Sequence, residues 1–352
     1  MWPPSIEQRV CEQYLQRTQL GCERSFCDWA IRTGFRGGLI MAEGFEERSV
    51  GVLEQLADDN AKLAGVVIAR YVNGDPHNQR FRARCEKAAK HVAPGKWRTV
   101  ENHNDGLWVR QALDLVPCDE VVLDITGISN RALFTALDVA ATSGRTVYVA
   151  YSEAEQYWPK KADWLEFKRG LTGSSTLAEM MDDKPWLFGP QHHVELVPEH
   201  EGYDTAGSAC ALVAFLPFKC ARLGAVLGLG DYSETLYIAG CPRLKRNAWR
   251  LGALKEINAP IVGQGMVVEM ATFGYRAAFK RLTTLLFSRG ALLKRHNVHM
   301  AILGSKLQTV GCWALSRVIS SITVITSVPQ KYYAEAFSEG VGGSWVFKLT
   351  KP

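Results

Sequence analysis

Apolar residues in this chain cluster into short uninterrupted runs, and most runs are followed by a polar stretch with helical spacing. In the first half the runs at 39–42, 66–69, 97–101, 121–124 and 146–150 read as strands. Helices are expected over 46–60, where Val50, Leu53 and Leu56 share a face, and over 79–91, 107–116 and 131–142. Consecutive rather than alternating apolar residues suit strands buried on both faces, and such strands belong in a parallel sheet with helices on each side. The second half repeats the plan, with strands at 211–216, 235–239, 265–270, 298–303 and 322–327 and helices at 244–257, 275–289 and 307–319. A closing strand at 345–349 follows the turn at 340–343, which holds Gly340, Gly342 and Gly343. Pro159, Gly170, Gly173, Pro185, Gly189, Pro190 and Pro198 break the alternation over 152–207, leaving room for a helix at 161–169 and a short strand at 194–197.

The two halves also share residues at a nearly constant offset. Phe45, Gly51, Leu56 and Asp58 align with Phe218, Gly224, Leu229 and Asp231. Further on, Gly127 matches Gly304, and Ser152 and Tyr157 match Ser327 and Tyr332. Such self-similarity predicts a duplicated α/β domain: two tandem Rossmann-like lobes with parallel sheets. A length of 352 residues agrees with two domains at about 150 residues each. The expected division is an N-terminal helical extension (1–35), a first domain (36–151), a connector (152–207) and a second domain (208–352).

Composition narrows the function classes. A net charge of +5, with basic and acidic residues interleaved, permits a polyanionic partner without requiring one. The N-terminus lacks the basic and apolar regions of a signal peptide, and no apolar run approaches the roughly 20 residues of a membrane span. A cytoplasmic, membrane-free protein is expected. Nine cysteines, without C-x-x-C spacing, read as free thiols. Cys22 and Cys27 with His192 and His193 would make a metal site only if the fold joined them, so neither metal nor cofactor is expected.

In open parallel sheets, ligands bind beyond the carboxyl ends of the strands. Two loops of the first half are candidates. Asp124-Ile125-Thr126-Gly127-Ile128-Ser129-Asn130 passes from strand to helix, where Gly127 permits a tight turn and Thr126, Ser129 and Asn130 offer hydrogen bonds to an anion at the helix N-terminus. The alternative is an ordinary cap by Ser129 or Asn130. The earlier loop places Gly44, Glu46, Arg48 and Ser49 together, with Arg48 suited to an anion and Glu43 or Glu46 to ribose hydroxyls, or else paired among themselves on the surface. In the second half Gly304, Ser305 and Lys306 make a second candidate anion site. Asp124 and Glu153 close adjacent strands and form a candidate acid–base pair or a ribose-binding pair; no catalytic residue is singled out. P-loop, dinucleotide and nucleophile-elbow motifs are absent.

The stretch Val122-Leu123-Asp124-Ile125-Thr126-Gly127-Ile128-Ser129-Asn130-Arg131-Ala132-Leu133, with Tyr148-Val149-Ala150-Tyr151 beyond it, resembles the strand-TG-helix signature of CRISPR-associated Rossmann-fold (CARF) sensor domains. The resemblance covers about 30 residues of the first lobe. It departs from the family where a second Gly and a Lys often follow the TG, since Ile128, Ser129 and Asn130 stand there. It implies an oligonucleotide ligand held by Thr126, Gly127, Ser129 and Asn130, assembly as a homo-oligomer, and a partner effector protein. The expected role is nucleotide-ligand binding or sensing in a prokaryotic antiviral defence system, signalling to a partner. Two alternatives stay open: an enzyme hydrolysing a glycosidic or phosphodiester bond of a nucleotide with strand-end carboxylates, and a structural subunit of a larger defence complex.

Overall fold

The computed structural model describes residues 6–17, 24–72, 76–171, 192–288, 292–330 and 337–349. Tyr332, one of the paired repeat positions, and Cys22 lie outside them. The chain forms two compact units, one of Leu20–Trp158 with Phe337–Lys351 and one of Met1–Gln19 with Pro159–Ala336.

The first unit holds strands β1 (Arg24–Ser25), β2 (Gly38–Ala42), β3 (Gly65–Tyr71), β4 (Trp97–Asn102), β5 (Glu120–Asp124), β6 (Thr146–Ser152), β7 (Gln156–Tyr157), β14 (Ser338–Glu339) and β15 (Ser344–Lys348). Its main sheet runs β4-β3-β2-β5-β6-β15-β1. The five strands from β4 to β6 are parallel and β15 is antiparallel to β6. All five residues of β2 are buried, as a strand covered on both faces must be. One face packs Leu39, Met41, Val66, Ile68 and Val122 against Val50, Leu53 and Leu56 of the helical segment that follows β2. Truncating one of these, such as Leu39, to Ala would cost about 2–5 kcal/mol.

The second unit contributes β8 (His192–Leu196), β9 (Ala209–Phe215), β10 (Tyr232–Cys241), β11 (Met266–Ala271), β12 (His296–Ala301) and β13 (Thr323–Pro329), in the order β11-β10-β9-β12-β13-β8. Here too five strands are parallel and the edge strand, β8, is antiparallel to its neighbour. Counting the parallel strands of each unit alone, both sheets read third-second-first-fourth-fifth, and an antiparallel strand (β15 or β8) pairs beyond the fifth. This is the tandem Rossmann-like arrangement expected of a duplicated domain.

The first sheet takes its sixth strand from the far end of the chain. The closing strand was expected to finish the second domain, but it lies in the first sheet, where Val346 joins the core and the backbone covers the open edge of β6. The corresponding edge of β13 is taken by β8, which follows the first half in sequence. The N-terminal extension is likewise divided. Tyr14, in the helix Ile6–Arg17, packs on Phe279 of the second unit, while Trp29, in the helix Phe26–Thr33, packs on Tyr148 of the first. The helix Cys220–Leu227, absent from the expected elements, follows β9 as Gly51–Asp58 follows β2. Among the described residues no helix is long and apolar enough to cross a membrane.

Candidate functional site

The strand order of the first sheet reverses between β2 and β5, so the loops after these strands, 43–49 and 124–130, flank the switch point where open α/β sheets bind ligands. The two loops touch. A Cβ on Gly44 would lie 3.4 Å from Gly127 Cα, and one on Gly127 would collide with the Ala42 carbonyl. Glycine is required at 127 because two stretches of chain meet there.

Asp124 ends β5 in full burial. Its Oδ1 accepts from the Thr126 N–H (2.9 Å) and from Thr126 Oγ1 (2.5 Å), and Thr126 Oγ1 accepts from the Ser152 N–H (2.9 Å). Oδ2 has no partner. Burial pushes the carboxyl up to about 7, opposed by the Thr126 bonds and by Arg48. Ser129 caps the helix Asn130–Thr142: its Oγ accepts from the Ala132 N–H (3.1 Å) and donates to Asn104 Oδ1 (2.5 Å). Tyr71, at the end of β3, locks the loop, with its hydroxyl donating to the Gly127 carbonyl (2.9 Å) and accepting from the Ser129 N–H (3.3 Å).

The earlier loop is bound inward. Arg48 is buried, and each of its guanidinium N–H groups has a place: Nε and Nη2 on the Glu46 carboxylate, Nη1 on Tyr151 Oη (2.9 Å) and the Ser152 carbonyl (3.2 Å). Its guanidinium also lies over the rings of Tyr151 and Tyr157. Glu46 accepts from Ser338 Oγ as well, and Ser49 Oγ donates to the Gly44 carbonyl (3.4 Å). Arg48 is thus placed as an internal tie of the loop. Glu153, expected beside Asp124 as an acid–base partner, accepts from the Trp345 indole N–H at 3.1 Å. The charge acting on Asp124 is that of Arg48.

A cleft of about 730 Å³ opens beside these loops at the carboxyl ends of β3 and β4, lined among others by Arg70, Tyr71, Thr99, His103, Trp108 and Gln111. Arg70 donates through Nε to Glu43 (3.1 Å) and through Nη2 to Glu86 (2.6 Å), and Arg82 donates to the same Glu43 carboxylate (2.9 Å). Two cations therefore bracket one buried acid. Trp108 is 4% exposed, and among the described residues its indole N–H has no acceptor; the same holds for Nδ2 of the buried Asn102 at the end of β4. Unpartnered buried donors are uncommon and suit a ligand that brings acceptor atoms. Arg70 and Trp108 were not among the expected site residues, although a cation closing the apolar run of β3 is a signal that the strand-end rule singles out.

In the second unit Gly304 precedes Ser305, which caps the helix Lys306–Val318 in a reciprocal box with Gln308 and also donates to the Thr272 carbonyl (2.6 Å). The cap falls one residue after Gly304 but two after Gly127, so this turn is a residue shorter than its counterpart. Lys306 opens the helix and is partly exposed. His192 and His193, the possible metal partners of Cys22 and Cys27, lie on β8. His193 meets Glu195 (2.8 Å), while His192 is half-buried against Ser327 Oγ (3.0 Å) and pushed down to about 4 by burial and by Arg222 and Lys219.

No family model matches the chain, and no curated protein matches it by sequence. Among solved structures it is similar to a Type III CRISPR defence DNA nuclease activated by cyclic oligoadenylate, with a TM-score of 0.47 and 11% identity over 79% of this chain and 63% of that one. It is also similar to the cytoplasmic domain of a prokaryotic cation chloride cotransporter (TM-score 0.27, 8% identity, 86% and 99% covered). A universal stress protein from Archaeoglobus fulgidus DSM 4304 gives a TM-score of 0.23 and 10% identity, with 82% and 95% covered. The chain spans less than two thirds of the CRISPR nuclease.

Proposed function

We propose that the first lobe is a sensor domain for a nucleotide-type ligand in a prokaryotic antiviral defence system, and that occupancy is signalled to a partner protein. The observation that carries this reading is the cleft at the carboxyl ends of β3 and β4, whose lining brings Arg70, His103 and Trp108 together beside Glu101 and Asp105. Arg70 suits a phosphate, and the buried donors suit base or ribose acceptors. Tyr71 lines the same cleft and bonds the Gly127 turn, which gives a bound ligand a mechanical route to the CARF-like segment. Thr126 and Ser129 hold that turn in shape, and Gly127 and Asn130 present its backbone. Asp124 is enclosed, which favours a positioning role over acid–base work.

Cyclic oligoadenylate, the activator of the CRISPR nuclease above, is the first ligand to test. Calorimetric titration of the full chain with cyclic and linear oligoadenylates and with mononucleotides should find one class that binds. Arg70→Gln and Trp108→Phe should each weaken binding at least tenfold, as expected on losing a charged or buried hydrogen bond. Affinity unchanged in both variants, or no binding across the panel, would sink the proposal.

A further inference from the structure

We propose a zinc site in the second unit, formed by Asp204, Cys210 and His299. One ligand atom from each of the three lies within 4.8 Å of the other two. They come from different segments: Asp204 from the loop that leads from β8 into β9, Cys210 from the start of β9, and His299 from β12. Cys210 pairs with Asn297 in the parallel ladder, so Cys210 and His299 project from the same face of the sheet.

The separations suit an ion. Tetrahedral zinc with bonds near 2.0 Å to nitrogen and oxygen holds those two atoms about 3.3 Å apart. His299 Nε2 stands 3.4 Å from Asp204 Oδ2, a separation at which the two atoms can ligate one metal. His299 Nδ1 lies 3.4 Å from the Tyr232 hydroxyl. That is the arrangement in which the other ring nitrogen of a metal-bound histidine is oriented by a hydrogen bond, leaving the Nε2 lone pair for the metal. Tyr232 is the ladder neighbour of Cys210 on β10, so the orienting group sits on the same face. One thiolate, one imidazole and one carboxylate form a donor set for Zn²⁺ rather than for Mg²⁺ or Ca²⁺, with the fourth position open to water through the exposed Asp204 side.

The site lies at the amino ends of the parallel strands, away from the carboxyl-end loops where such sheets bind ligands, so its place, rather than its open fourth position, points to a structural metal. The segment carrying Asp204 is already strapped across these ends. The Asn297 side chain accepts from the Thr205 N–H (2.8 Å) and donates to its carbonyl (3.1 Å), and Thr323 Oγ1 donates to the Glu201 carbonyl (2.6 Å). Zinc would fasten this strap, and with it the edge strand β8, to the sheet. Binding requires the Cys210 thiol as thiolate, so one proton leaves per ion bound.

The test is titration of the chelator-stripped full chain with Co²⁺ and then Zn²⁺. One equivalent of Co²⁺ should give the visible bands of a four-coordinate ion together with a thiolate-to-cobalt band, and Zn²⁺ should displace both. Cys210→Ser should abolish the thiolate band, Cys118→Ser and Cys241→Ser should keep it, and Asp204→Asn, on an exposed loop where folding is safe, should weaken Co²⁺ binding at least tenfold. Absence of stoichiometric uptake, a thiolate band that survives Cys210→Ser, or undiminished affinity in Asp204→Asn would each overturn the site.

Discussion

At the scale of single residues, Asp124 is pulled two ways. The Thr126 bonds favour its ionised form, yet burial wins and holds the carboxyl near 7. A raised folded-state value means that the folded chain keeps the proton more tightly than the unfolded one. The stability Asp124 confers is therefore intact below the unfolded value near 4, falls as pH climbs through 7, and is level above that. Asp124→Asn keeps the acceptor for Thr126 and cannot ionise. Its thermal midpoint should exceed that of the parent chain at pH 8 by the equivalent of a few kcal/mol, and the gap should narrow as pH drops to 5. A constant gap over that range would mean that Asp124 does not titrate there. Arg48 teaches a related lesson. The residue type suggested an anion site, but only the fold reveals that Glu46, Tyr151 and Ser152 take every donor.

At the scale of elements, the caps translate side-chain chemistry into turn geometry. Ser305 serves the N-terminus of the helix Lys306–Val318 and the Thr272 carbonyl at once, so Ser305→Ala should cost about 1–2 kcal/mol, measured as a lower urea midpoint at unchanged slope. The parallel strands and most helices were legible because runs such as Val121-Val122-Leu123 admit few other readings. The loops at the switch point were legible for the same reason, since they follow those strands. The helix Cys220–Leu227 was not, because Gly224 within it and Gly228 after it dilute the helical signal. Nor was the cleft, since Arg70 and Trp108 lie far apart in sequence and meet only through the pairing of β3 with β4. Edge-strand partnership escaped for a deeper reason. Trp345-Val346-Phe347 suits the edge of either sheet, and which edge is vacant is decided elsewhere in the chain.

At the scale of the whole molecule, the six strands of the second sheet all lie within residues 192–329, whereas the first sheet is completed only by β15 from the far end of the chain. Residues 20–158 expressed alone lack β15, so they should be protease-sensitive and expose the edge of β6; adding a peptide of residues 337–351 should restore protection. Full protection of 20–158 without the peptide would show that β15 is dispensable. This late strand sets a timetable for synthesis. The ribosome finishes β6 at Ser152 but reaches the strand that shields it only at Ser344, 192 residues later. At about 5–20 residues per second that is roughly 10–40 s, during which the nascent first lobe carries a bare strand edge that any passing chain can pair with. Translation speed thus becomes a determinant of yield, and a chaperone that shelters an open sheet edge has its longest opportunity on the lobe that is made first and closed last.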